Sequence, residues 1–164
     1  MDFFYSVSSI IEEDVSVGQG SKVWYFTHIC HSAKIGRDTN VGEKCYIGEG
    51  SIIGDDVKIG NNVNIYPGTI IKNKVFIGNG ANFTNVRKPF AYRKAKKILD
   101  IIIEDEVSIG ANATIVGGIK IGRRAIIADG AVVTKDVPDE CFVAGNPARI
   151  KRKKNLKDFY DHKK

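Results

Sequence analysis

The stretch Ile29-Cys30-His31-Ser32-Ala33-Lys34-Ile35-Gly36-Arg37-Asp38-Thr39-Asn40-Val41-Gly42 carries an Ile or Val at every sixth position. The same phase takes in Ile11, Val17 and Val23 before it and Ile47, Ile53, Ile59, Ile65, Ile71 and Ile77 after it. Tyr5 and Phe83 extend it one step at each end. Gly repeatedly follows the aliphatic residue, as at Gly18, Gly36, Gly42, Gly54 and Gly60, and a small or apolar residue stands two places before it, as at Ala33, Thr39, Cys45 and Val57. Alternate residues of a strand share a face, so both members of that pair point inward. The Asp, Asn, Lys and Glu between them turn a corner, where Gly and Asn tolerate positive φ. A period of six fits neither the 3.6 of a helix nor the longer strands of a hairpin sheet.

Three such hexads close one triangular coil, and stacked coils make an all-β parallel solenoid filled with Ile and Val. Counting hexads predicts six or seven coils, a prism roughly 30 Å long at about 4.8 Å per coil. The ladder breaks after Phe83 and restarts out of phase at Ile103, Ile109, Ile115, Ile121, Ile127 and Val133. The whole chain is therefore one domain: hexads over about 5–83 and 103–138, a loop at 84–102, and a C-terminal cap and tail at 139–164. In the tail, Leu156, Phe159 and Tyr160 fall at helical spacing. Flat β faces of this kind call for a partner, and a homotrimer packed face to face is expected.

Of 164 residues, 43% are hydrophobic, enough for a core, and no run approaches the ~20 apolar residues of a membrane span. The start, Met1-Asp2-Phe3-Phe4-Tyr5, does not read as a signal peptide. Cys30, Cys45 and Cys141 form no CxxC pair, which fits reduced thiols and a cytoplasmic location. The net charge of +6 is concentrated at Arg87, Lys88, Arg93, Lys94, Lys96 and Lys97, inside the loop, and at Arg149, Lys151, Arg152, Lys153 and Lys154. Such clusters attract an anionic ligand. No motif for nucleic acid accompanies them. A loop reaching over a neighbouring subunit would make a cationic cleft suited to a phosphorylated ligand.

The hexads, the extruded loop, and the segments Ile109-Gly110-Ala111-Asn112-Ala113-Thr114-Ile115, Gly130-Ala131-Val132-Val133-Thr134-Lys135-Asp136-Val137-Pro138 and Gly145-Asn146-Pro147-Ala148-Arg149 together resemble the hexapeptide-repeat acyltransferases. The likeness covers nearly the whole chain and implies a left-handed parallel β-helix, a hand that physics alone does not supply. Val23-Trp24, Thr27-His28-Ile29-Cys30, Phe83-Thr84-Asn85-Val86 and Pro89 are most similar to N-acetyltransferases of nucleotide-linked amino sugars. Among these, the enzymes acetylating the 3-amino group of UDP-2-acetamido-3-amino-2,3-dideoxyglucuronate stand nearest, with those acting on dTDP-linked sugars not separable from them.

The resemblance implies acetyl-CoA as co-substrate, in a groove between two subunits. Ala111 and Ala128 match positions whose backbone meets the pantetheine arm, Thr134 and Lys135 the stretch near the far end of the cofactor, and Arg149 and Arg152 the residues that meet its phosphates. Asp129, where the family commonly has a small residue, is an unexpected charge. Asn85 matches a loop-start residue beside the substrate amine. Asn is no base, but it accepts a hydrogen bond and orients the amine.

His28, outward on a strand, is either an interface residue or a contact and proton acceptor supplied from another coil. Arg87, Lys88 and Arg93 are candidates to meet a sugar carboxylate. No metal is expected, because His28 and His31, three apart, face different sides. The expected activity is N-acetylation of a nucleotide-linked amino sugar for surface polysaccharide synthesis. The alternatives are O-acetylation of a sugar or serine, or a scaffold without catalysis.

Overall fold

The computed structural model describes residues 2–93 and 97–153. Short strands wind through three faces in strict rotation. The first face is a 9-stranded sheet running from Phe4–Tyr5 through Lys22–Val23, Asn40–Val41, Lys58–Ile59, Phe76–Ile77, Ser108–Ile109 and Ile126–Ile127 to Cys141–Ala144 and Arg149–Lys153. The second has 7 strands, from Ile10–Ile11 and His28–Ile29 through Tyr46–Ile47, Asn64–Ile65, Asn82–Phe83 and Thr114–Ile115 to Val132–Val133. The third has 6, from Ser16–Val17 to Lys120–Ile121. All pairings are parallel until Arg149–Lys153 turns back antiparallel on Cys141–Ala144. The result is a parallel β-solenoid of about 8 turns, in agreement with the left-handed β-helix expected. It is longer than the six or seven coils of the hexad count, and Cys141–Ala144 adds a strand beyond the last regular hexad.

The six-residue ladder is the core. Val23, Ile29, Val41, Ile47, Ile65, Ile77, Phe83, Ile109, Ile115 and Ile121 are each 0% exposed. The position two before them is buried as well, at Ala33, Cys45, Val57, Val63, Val75 and Ala81. At Ser21, Thr27 and Thr39 that position is a hydroxyl whose buried oxygen both donates and accepts: Thr27 Oγ1 donates to Gly42 O at 2.7 Å and accepts from Cys45 N–H at 3.1 Å. Only the first coil is loosely held, since Ile11 and Val17 are half-buried and Tyr5 is exposed.

The glycines after the ladder residue do a different job from the one expected. Their φ is ordinary. Positive φ falls two residues later, at Asp38, Lys44, Asp56, Asn62 and Arg124. What excludes a side chain at Gly36 is the next coil, because a Cβ there would lie 2.4 Å from Asp55 Oδ1 and 2.5 Å from Gly54 O. The carboxylate sits there because it accepts the Arg37 N–H at 2.7 Å, 18 residues away. The pairing of Gly with an Asx one coil on recurs at Gly42 with Asn61, Gly54 with Asn73, Gly60 with Asn79 and Gly110 with Asp129.

Two irregularities interrupt the step. Asn73 N–H reaches Asp105, 32 residues away rather than 18, which is the extruded loop. The loop ends earlier than the out-of-phase restart at Ile103 implied, since Ile101–Ile103 is already a strand paired with Thr69–Ile71. In the last coil the step shortens to 16, between Lys120 N–H and Asp136. The expected helical tail is corrected in its first part: Arg149–Lys153 is a strand, because its backbone pairs with Cys141–Ala144. Leu156, Phe159, Tyr160 and the rest of 154–164 lie outside the described residues. All three cysteines are free and buried. Among the described residues no helix is long and apolar enough to cross a membrane.

Candidate functional site

Asn85 opens the loop at the edge between the second and third faces, directly after Asn82–Phe83. Its backbone carbonyl accepts the Leu99 N–H at 2.9 Å, closing the neck of the loop. Its side-chain Nδ2 donates to Pro67 O at 3.2 Å, one coil below. Because an amide nitrogen must face that carbonyl, the orientation of the side chain is fixed. Among the described residues Oδ1 has no hydrogen-bond partner, so a directed acceptor stands at the mouth of the loop. Thr84 Oγ1 accepts the Gly117 N–H at 3.2 Å, tying the same corner to the coil above. A Cβ at Gly117 would meet Thr84 O at 2.9 Å and Asn85 Cα at 3.0 Å.

The loop carries its cations outward. Arg87, Lys88 and Arg93 are exposed. Arg93 lies over the Phe90 ring, 4.1 Å from its centroid, and Phe90 packs on Tyr92 at 5.4 Å. That contact stiffens the tip and leaves the guanidinium edge open. Among the described residues none of the three pairs with a carboxylate.

The cofactor candidates fall in two groups. Ala111 and Ala128 occupy the edge between the first and second faces on successive coils, after Ser108–Ile109 and Ile126–Ile127. The Ala111 N–H is engaged by Asp129 Oδ1 at 2.8 Å, and the Ala128 N–H by Val143 O at 3.0 Å. The unexpected charge of Asp129 is thereby explained as the corner's hydrogen-bond acceptor. Carbonyl oxygens, with a second lone pair each, are what these two residues offer a ligand.

Thr134 and Lys135 stand on the other edge, above Asn85, after Val132–Val133. Lys135 and Arg149 come together in a cavity of about 310 Å³ at the end of the prism, lined also by Val133, Val137, Val143 and Ala148. Arg152 pairs through its backbone with Phe142 in the strand beside that cavity. Asn85 and the two alanines thus occupy different edges of one prism. A groove holding both needs the edge of one copy against the edge of another.

His28 is not brought to Asn85. The second face places His28 beside Tyr46, Tyr46 beside Asn64 and Asn64 beside Asn82, three coils or about 14 Å. Instead, His28 Nε2 meets Glu12 Oε1 at 2.5 Å. The other carboxylate oxygen accepts the His31 N–H at 2.8 Å, and these bonds, the backbone one foremost, hold the Glu12 carboxyl below its usual range. Cys30 Sγ lies 3.9 Å from His28 Nε2. The neighbouring Cys30 thiol and, after it, burial push the Tyr46 phenol up to about 12. Glu12 was missed because only histidines were weighed together. The signal was present in the period, since residue 12 lies one coil below residue 30.

Comparison with known proteins places this geometry. The bacterial transferase hexapeptide (six repeats) model matches residues 50–85 and 100–135, the coils on either side of the loop. A hexapeptide-repeat-containing acetyltransferase from Vibrio cholerae O1 biovar eltor, solved in complex with acetyl-coenzyme A, is 32% identical over 76% of this chain and 72% of its own, with a TM-score of 0.66. The chain belongs to the hexapeptide-repeat acetyltransferases and is an acyltransferase. A polySia-specific acetyltransferase, NeuO, is 24% identical, covering 93% of this chain and 82% of that one, with a TM-score of 0.56. A Francisella novicida UDP-N-acetylglucosamine acyltransferase is 17% identical, covering 91% and 66%, with a TM-score of 0.61. At those identities the last two speak to the fold alone. No curated protein sequence matches the chain significantly.

Proposed function

We propose that the protein transfers the acetyl group of acetyl-CoA to the amino group, the 3-amino group foremost, of a UDP- or dTDP-linked amino sugar made for surface polysaccharide. The observation that carries this reading is Asn85, whose Nδ2 is committed to Pro67 O and whose Oδ1 is left as an acceptor beside a basic loop. The donor follows from the Vibrio cholerae relative, whose structure holds acetyl-coenzyme A.

In this reading Oδ1 of Asn85 accepts one N–H of the neutral amine and aims its lone pair at the thioester carbonyl carbon. The C–N bond forms and a tetrahedral intermediate results. As it collapses the C–S bond breaks, and the departing coenzyme A thiolate takes the proton that the nitrogen gives up. No strong base is needed, which favours an amine over a hydroxyl as acceptor. His28 would reach this amine only from a neighbouring copy, which leaves the step within one protomer to Asn85.

The pantetheine amides donate to the carbonyl oxygens of Ala111 and Ala128, and the coenzyme phosphates meet Thr134, Lys135, Arg149 and Arg152, Arg being the better bidentate partner. Arg87, Lys88 and Arg93 receive the nucleotide phosphates or a sugar carboxylate. Because Asn85 and the alanines lie on different edges, the working unit is an oligomer, and a homotrimer closes three such grooves. Outward Ile52, Ile70 and Ile102 stack on the third face and supply apolar surface for that contact.

The test is thiol release from acetyl-CoA with a panel of UDP- and dTDP-linked amino sugars. Release with one of them, lost in Asn85→Ala, supports the proposal. Silence across the panel, or release with hydroxyl acceptors alone, overturns it.

A further inference from the structure

We propose that Glu12, His28 and Cys30 form a binding site for one divalent ion of zinc type, which clamps the first coil to the second. The three donor atoms, a carboxylate oxygen, Nε2 and Sγ, all lie within 4.8 Å of one another. The pair distances are 2.5 Å for His28 to Glu12 and 3.9 Å for His28 to Cys30. Tetrahedral zinc with bonds of about 2.0–2.3 Å separates its ligand atoms by roughly 3.3–3.7 Å. The oxygen therefore retreats by less than about 1 Å, and the sulfur closes by a few tenths, to receive the ion.

The placement follows from the repeat. His28 and Cys30 are two apart on one extended segment and share its outer side. Glu12 comes from the coil beneath, where Ile10–Ile11 pairs with His28–Ile29. Groups around the site already orient its donors, the usual support for a metal ligand. The His31 N–H holds the second oxygen of Glu12, and the Tyr46 ring, one coil above, stands edge-on to the His28 imidazole with centroids 5.8 Å apart.

An imidazole, a carboxylate and a thiol suit a borderline ion and not magnesium or calcium. The His28 and Glu12 side chains are 38% and 35% exposed, which leaves water a path to the fourth position. An ion so bound is met by the thiolate form of Cys30 and an unprotonated Nε2 of His28, any displaced proton passing to solvent. The clamp falls where packing is weakest, since Ile11 and Val17 beneath are only half-buried. Acetyl transfer at Asn85 does not enter this site, so its failure and that of the proposed activity are separable.

The experiment uses the full chain, reduced and stripped of metal with a chelator, titrated with cobalt(II) as a spectroscopic probe. The expected result is a thiolate-to-cobalt charge-transfer band saturating at one ion per chain and displaced by zinc. Cys30→Ser abolishes the band, Glu12→Gln and His28→Ala weaken binding tenfold or more, and zinc raises the melting temperature of the parent alone. A folded parent with no band at stoichiometric cobalt overturns the proposal. So does a band that survives in Cys30→Ser, which would assign it to another thiol.

Discussion

Gly110→Ala puts the Gly–Asx pairing to a quantitative test. Its φ is ordinary, so backbone conformation imposes no penalty. An added Cβ would nevertheless lie 2.3 Å from Asp129 Oδ1, 2.5 Å from Asp129 N and 2.8 Å from Ala128 C. The first of these atoms can rotate away at the cost of its bond to the Ala111 N–H. The other two are backbone and move only if a coil moves. Overpacking of this kind costs about 1–3 kcal/mol, and the lost hydrogen bond adds about 1 kcal/mol.

The control is Gly50→Ala. There φ is +63°, but no atom lies within 4 Å of the new Cβ, so the cost is the left-handed conformation alone, about 1 kcal/mol. At roughly 2–4 °C per kcal/mol for a chain of this size, Gly110→Ala should melt about 5–15 °C below the parent and Gly50→Ala about 2–4 °C below. Thermal unfolding followed by circular dichroism measures both. If Gly50→Ala proves the more damaging, positive φ and not close approach governs the glycines of the ladder, and the account of the corner is wrong.

Removing the acceptor alone, in Asp129→Ala, should cost about 1 kcal/mol by urea unfolding, and Asp129→Asn should restore most of it because Oδ1 is kept. Phe83→Ala opens a void under the loop where the ring is 0% exposed, and a loss of about 3–5 kcal/mol is expected in the same assay. The carboxyl of Glu12 is held below its ordinary 4.5, so its contribution is fully present above that value and is lost as pH falls through the lowered one. Melting temperature measured from pH 6 to pH 3 should fall more steeply for the parent than for Glu12→Gln, and identical slopes would remove the claim.

The prism was legible in the sequence because one physical rule, alternation on a strand with a fixed corner, repeats without exception from Ile11 to Ile77. The role of the glycines was not, since the neighbour that forbids a side chain at Gly36 is Asp55 on the next coil. Asp129 looked like a stray charge for the same reason, its partner being the Ala111 N–H one coil below. The loop was found from the phase break, but its end at Ile101 was hidden because Ile101, Ile102 and Ile103 offer two registers and pairing with Thr69–Ile71 selects one. Asn85 as a residue was legible, whereas the fixed direction of its amide depends on Pro67 O, in a turn 18 residues earlier. The grouping of Glu12 with Cys30 needed the period of the coil to be applied to polar residues as well as to the ladder. The strand at Arg149–Lys153 was missed because its pairing is antiparallel and follows a turn that obeys no hexad.

The most direct test of the central claim is steady-state coenzyme A release with the best UDP- or dTDP-linked amino sugar, in the parent and in Asn85→Ala. Loss of an oriented contact to the reacting nitrogen predicts kcat/KM lower by about 100-fold, roughly 2.7 kcal/mol, with the melting temperature of the variant close to that of the parent. An Asn85→Ala protein that acetylates the amine at the parent's rate would contradict the account.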